Sequence, residues 1–315
     1  MRIRTDKMRS VIVVILFSVL LAGPALAKKR GGGTGGGGGG DHAAKGVALA
    51  DQKQYDAAIA EFTKAIEAAP KDPRNYNNRG TALRVTGKLP EAIADFSKAI
   101  EVAPKDYAGY MERSQTELML NQSDAGLADA NKVIELKPDE AYGYKYRGFA
   151  YIGLQQWDKA VADFTTAIQK KPDDPQCYDR RALANRNLKQ YDAAVADYTT
   201  LITRNPGDVE SLVRRGFTYA SMQDYEKAIP DYEAALKVKP DDYETVQRLQ
   251  YARSMLAAKN APPPAATPVP TPTPEGLFTP INIGVGLAVI LIIAVIVKLV
   301  TRGKPDEGGS STRIR

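Results

Sequence analysis

The chain has 315 residues, 43 of them basic and 37 acidic, for a formal net charge of +6. A single cysteine, Cys177, excludes an intrachain disulfide framework, and a single histidine, His42, leaves no basis for a His/Cys metal cluster or a His-based triad. The basic excess sits at the two ends: between Asp41 and Asn260 there are 31 basic against 33 acidic residues, so a broad nucleic-acid footprint is excluded.

Met1–Ala27 opens with Arg2, Arg4, Lys7 and Arg9, continues with the apolar run Val11–Gly23, and closes on Ala25-Leu26-Ala27. This is the layout of a secretory signal peptide, cleaved or kept as a signal anchor. Residues 28–40 are three basic residues and then glycine broken only by Thr34. The Gly-Lys-Ser/Thr ending of a phosphate loop is missing, so the run reads as a flexible linker.

From Asp41 to Asp242 the chain repeats itself. Pro70, Pro104, Pro138, Pro172, Pro206 and Pro240 are spaced by 34 residues, which marks six copies of one unit and predicts a solenoid. Apolar and small residues recur three or four apart, as in Tyr144, Gly148 and Tyr151, and again in Ala160, Phe164 and Ala167, so each copy reads as two helices. Glycine within a helix costs about 1 kcal/mol relative to alanine. Its recurrence at Gly46, Gly80, Gly148 and Gly216 therefore predicts close approach of a partner helix, with Phe62, Phe96, Phe164 and Tyr232 filling the space beside it. Two residues after each proline stands an acid, at Asp72, Asp106, Glu140, Asp174, Asp208 and Asp242, suited to cap the next helix. The third copy departs most, with Ser114, Glu117, Ser123, Gly126 and Ala130 at its packing positions, and is expected to pack less well.

Residues 243–260 read as a helix that covers the last copy. Residues 261–280 are proline-rich and predict an extended spacer. Residues 281–300, INIGVGLAVILIIAVIVKLV, have the length and polarity of a transmembrane helix. Lys298, Arg302 and Lys304 lie at its end, whereas no basic residue occurs between Lys259 and the span. The positive-inside bias then places residues 301–315 in the cytoplasm and the repeats outside it, whether or not the N-terminal signal is cleaved.

The recurring set Tyr144, Gly148, Tyr151, Ala160, Phe164, Ala167 and Pro172, with its partners at the 34-residue step, resembles the tetratricopeptide repeat (TPR) family over about two-thirds of the chain. The resemblance implies an all-α fold: a right-handed α-solenoid of six helix-turn-helix repeats plus a capping helix, here followed by a transmembrane helix. It also implies a concave groove that binds proteins or peptides.

Two further patterns bear on function. A basic residue always precedes the small column (Lys45, Arg79, Arg113, Arg147, Arg181, Arg215), and an acid always precedes the aromatic column (Glu61, Asp95, Asp129, Asp163, Asp197, Asp231). They are expected to form a structural ladder of ion pairs. A second stripe on the first helices varies between copies, and the resemblance places it in the groove. Its candidate contacts are Met111, Met119, Tyr142, Lys145, Tyr146, Phe149, Arg180, Leu183, Arg186, Arg214 and Phe217. Aromatic, Met and Arg side chains of this kind suit a segment with apolar anchors and some acid, and the fourth copy is the expected hot spot. The sequence carries no catalytic motif, no cofactor-binding motif and no small-molecule substrate site, so it is read as a non-enzyme. The reading is a membrane-anchored scaffold on the extracytoplasmic side. A subunit of an export, pilus or envelope-assembly machine and an accessory subunit of a membrane enzyme are the alternatives.

Overall fold

A 34-residue period that carries two apolar stripes has no single core to build. Each copy must bury its faces against its neighbours. The computed structural model shows this outcome in residues 39–261, which together with Leu291, Ile292, Ala294 and Lys298 are the residues it describes. Six helix pairs follow one another: α1 (Gly39–Asp51) with α2 (Tyr55–Ala68), α3 (Pro73–Val85) with α4 (Leu89–Val102), α5 (Tyr107–Met119) with α6 (Ser123–Leu136), α7 (Ala141–Gly153) with α8 (Trp157–Lys170), α9 (Pro175–Asn187) with α10 (Tyr191–Arg204), and α11 (Val209–Ser221) with α12 (Tyr225–Val238). A thirteenth helix, α13 (Tyr243–Asn260), covers the end. No strand occurs among the described residues. The first helix starts at Gly39, so the last two residues of the expected glycine linker are helical.

The chain divides into two units, Met1–Lys259 and Asn260–Arg315. In the second, Leu291, Ile292, Ala294 and Lys298 are helical and exposed. The expected signal segment, most of the glycine linker, nearly all of the proline spacer, the rest of the 281–300 span and the C-terminal tail lie outside the described residues. Among those described, no helix is long and apolar enough to cross a membrane.

Both kinds of turn are built from local chemistry. Each second helix ends in a β-turn with the repeated proline at its second position, for example Asp72 N–H to Ala69 O at 3.1 Å and Asp106 N–H to Ala103 O at 3.0 Å. The acid that follows caps the next helix: Asp72, Asp106, Asp174 and Asp208 each accept from a backbone N–H two residues on. Glu140 makes no such bond, a correction to the expected row, since its extra methylene moves the carboxylate away from the cap position. The turn between paired helices is a Schellman motif in every copy. In the fourth, Gln156 N–H reaches Tyr151 O at 2.8 Å and Gln155 N–H reaches Ile152 O at 3.0 Å. The motif requires a left-handed residue, and Lys53, Gly87, Asn121, Gln155, Lys189 and Gln223 supply it at the 34-residue step. Only one of the six is glycine.

Packing follows the columns. A methyl carbon placed on Gly80 would come within 2.6 Å of the Phe96 ring, so the bare backbone lets that ring approach closely. In the third copy the sizes are exchanged rather than lost. Ser114 replaces glycine and Ala130 replaces the aromatic, while Gly126 lets Leu118 approach, and the Ser114 hydroxyl donates to Gly126 O at 2.8 Å. Ser114, Thr116 and Ala130 are fully buried, so this copy is closed by different contacts.

Five arginines tie the pairs together. Arg79, Arg113, Arg147, Arg181 and Arg215 each donate twice to the aspartate sixteen residues on, at 2.6–3.0 Å. The remaining Nη of each reaches back to the preceding copy: to Thr63, Ser97, Asn131, Thr165 and Thr199 at 3.0–3.1 Å. The hydroxyls in this row donate their own proton to the carbonyl four residues earlier, as Thr165 does to Val161 O at 2.8 Å, which leaves the oxygen free to accept. Each guanidinium thus joins three helices and two copies. In the first copy Lys45 pairs with Glu61 at 2.9 Å, and His42 and Lys64 share that carboxylate. These hydrogen bonds hold Glu61 down at a pKa of about 2. In α13 the basic and glycine columns become Leu249 and Gln250. Leu249 packs with Ala228 and Tyr232.

Candidate functional site

First helices of successive copies touch one another directly, α1 with α3, α3 with α5, α5 with α7 and α7 with α9. This places the first helices on the inside of the curve and their variable stripe on its inner face.

Much of that face is closed by its own side chains. Arg84 on α3 donates to Glu112 on α5 at 2.6 Å, with both residues buried. Burial pushes the Glu112 carboxyl up and Arg84 opposes it. Lys145 on α7 donates to Asp174, the cap of α9, at 2.7 Å. Met111, Tyr146 and Phe149 are buried beside these pairs. Phe149 meets Phe164 edge-on with centroids 5.5 Å apart, and Arg180 lies over the Phe149 ring at 5.8 Å from its centroid. The aromatic stripe of the fourth copy is therefore packing, not an open surface, which corrects its placement as the exposed hot spot. The physical reason is the tight curve: neighbouring first helices are close enough for long side chains at these positions to fill the space between them.

The remaining candidates fall into two groups. Met119 and Tyr142 are half-buried, the latter beneath Lys171, whose ammonium is 5.1 Å from the ring centroid. Leu183, Arg186, Arg214 and Phe217 come together on α9 and α11. There Arg214 donates to Asp179 and to Glu210, and Phe217 stays 38% exposed. Arg186 lies over the Phe217 ring at 4.5 Å, and Arg248 on α13 lies over the same ring at 5.3 Å. Arg248 was not among the expected groove contacts. Its signal was available, because α13 continues the 34-residue numbering and places Arg248 on the inner side of the cap. Arg180, 1% exposed, is the most deeply buried cation of the inner face, and burial lowers its pKa.

Nothing in this arrangement resembles a reaction centre. Cys177 is buried, and burial pushes its thiol up to about 12, so it is not a nucleophile. Among the described residues no three His, Cys, Asp or Glu side chains converge as a metal site. What the face offers is a row of polar and aromatic side chains suited to contact another chain.

Models described as tetratricopeptide repeat match residues 42–72, 73–106, 141–174, 175–208 and 209–242, together more than half of the chain. Tetratricopeptide repeat protein 36 of Caenorhabditis elegans is 52% identical over 44 residues, 14% of this chain and 25% of that protein, so the chain aligns with only a quarter of this curated relative. Among solved structures, YrrB, a TPR protein with an unusual peptide-binding site, superposes with a TM-score of 0.51 and 21% identity over 61% of this chain and 97% of its own. A tetratricopeptide repeat protein from Parabacteroides merdae gives 0.53 and 17% over 79% and 95%, and the APC/C hetero-tetramer Cut9-Hcn1 gives 0.59 and 15% over 68% and 42%. At these identities the structures share the fold.

Proposed function

We propose that this chain, which belongs to the tetratricopeptide repeat family, is a membrane-anchored scaffold that holds protein or peptide partners on the inner face of its repeats, on the extracytoplasmic side. The observation that carries the binding reading is the contrast between two sets of positions. Those that pack the helix pairs and form the ladder hold nearly constant types along the chain, whereas the inner-face positions change from copy to copy, from Asn77 and Thr81 to Lys145 and Phe149 to Val213 and Phe217. A solenoid needs the first set to stand, and the second is free to be shaped by a partner. YrrB offers a peptide-binding precedent on this fold, by analogy alone.

The anchoring and sidedness rest on sequence: the signal-like Met1–Ala27, the apolar residues 281–300, and the basic residues after them. Solubilised membranes provide the test. The tagged full-length chain is expected in the membrane fraction with protein partners copurifying. Reporters fused after Asn260 should be active only outside the cytoplasm. A chain that stays in the soluble fraction, or a reporter active only in the cytoplasm, would overturn the anchoring and sidedness.

A further inference from the structure

The charges of the inner face are unevenly satisfied. In the second to fourth copies the buried cations of the inner face each have a counter-charge from a neighbouring helix, Arg84 with Glu112 and Lys145 with Asp174, although the Nε of Arg84 has no hydrogen-bond partner. At the C-terminal end the pattern changes. Arg186 makes no ion pair among the described residues. Arg248 pairs only with Glu244, four residues away on its own helix and 75% exposed. Arg180 sits 3.5 Å from Asp179, but that carboxylate is taken by Arg214, and the Nε and Nη2 of Arg180 have no hydrogen-bond partner. A buried guanidinium without full compensation is costly, and it raises the positive potential around it. Meanwhile Arg186 and Arg248 converge from α9 and α13 on one exposed ring, Phe217. The ring's quadrupole attracts each cation, but the two repel one another, and only the solvent-facing Glu244 offsets them.

We propose that this end of the inner face, built from Arg186, Phe217 and Arg248 and backed by Arg180, is the docking point for an acidic segment of a partner protein. A carboxylate of the partner pairs with the guanidinium groups of Arg186 and Arg248, and an adjacent apolar side chain covers the exposed part of Phe217. Planar guanidinium groups already stacked on a ring are pre-oriented for a carboxylate, so little side-chain entropy is lost on pairing. The inference rests on the peptide-binding reading and specifies its chemistry. The acids of the site, Asp179, Glu210 and Glu244, are outnumbered by Arg180, Arg186, Arg214 and Arg248, which disfavours a basic partner segment.

Panning a library of short random displayed peptides on the full-length chain tests this. The enriched pool is expected to be rich in Asp and Glu. Its best member, synthesised and labelled, should lose at least about tenfold in affinity to the Arg186→Gln/Arg248→Gln double variant. It should lose little to Lys98→Gln/Lys132→Gln, which removes one exposed and one half-buried charge of the second helices. The Arg186→Lys/Arg248→Lys variant, which keeps charge without the planar stack, should fall between. A pool without acidic enrichment, or acidic peptides indifferent to the double variant, overturns the proposal while leaving peptide binding at another part of the face intact. Equal losses in both double variants also overturn it, as non-specific attraction. An empty pool overturns the peptide-binding reading and this inference together. If the double variant instead dissolves a dimer of this chain without changing peptide affinity, the site is a self-association surface and the proposal fails.

Discussion

Glu117 occupies the third copy at a column where its counterparts are Leu49, Leu83, Tyr151, Asn185 and Tyr219. It is buried, its Oε2 has no hydrogen-bond partner, and its other oxygen is 3.8 Å from Arg113, whose guanidinium is already engaged by Asp129 and Ser97. Two carboxylates therefore compete for one cation. Desolvation, with Asp129 adding to it, raises the Glu117 carboxyl from 4.5 to about 7. A carboxyl with a raised folded-state pKa is held protonated by the fold while the unfolded chain releases the proton. Between about pH 4.5 and about pH 7 the folded state binds more protons, so stability falls as pH rises through that window and is flat above it. The shift corresponds to at most ~3 kcal/mol, at 1.36 kcal/mol per pH unit. Glu117→Gln removes the titration and keeps the shape. It is expected to raise stability near pH 8 by ~1–3 kcal/mol, with the gain shrinking towards pH 5. Urea unfolding followed by circular dichroism, variant against parent at each pH, isolates this group from Glu112, which burial also raises, and from Glu61, whose contribution is lost only as pH falls from 4.5 towards 2. A variant less stable than the parent near pH 8, or a difference independent of pH, would refute the reasoning.

Three other perturbations follow from the fold. Pro230 lies inside α12 at a column where the five earlier copies have Ala60, Ala94, Ala128, Ala162 and Ala196, so Pro230→Ala should restore a helix hydrogen bond and raise stability by ~1–3 kcal/mol, read as a higher urea midpoint. Gln155→Gly relieves a left-handed residue, φ 57°, and should stabilise by about 0.5–1 kcal/mol in the same assay, whereas Gly87→Gln should destabilise. Arg147→Met strands the buried Asp163 carboxylate and should cost ~2–4 kcal/mol; adding Asp163→Leu should recover part of the loss, and strictly additive losses would show that the two groups are uncoupled.

The sequence made the repeat legible because its period is carried by residues with few substitutes. Proline marks the turn, glycine admits a ring, and aspartate caps or pairs. The ladder was visible in the columns for the same reason. What it did not show was conformation that residue type leaves unmarked. The left-handed position recurs six times, yet only Gly87 advertises it, since lysine, asparagine and glutamine tolerate the same φ. The row Thr63, Ser97, Asn131, Thr165 and Thr199 looked like ordinary surface until the third nitrogen of each arginine was seen to use it. The inner face was the hardest to read. Whether Tyr146 and Phe149 face a partner or a neighbouring helix depends on the distance between first helices, and no local pattern encodes that distance.

Partner binding on the inner face is open to a direct test. A photo-crosslinking amino acid at Leu183, on the inner side of α9, can be compared with one at Lys132, on the second helix α6, in the full-length chain within its native membranes. Discrete protein adducts are expected from position 183 and few or none from position 132. Adducts formed from position 132 with none from position 183 would contradict binding on the inner face.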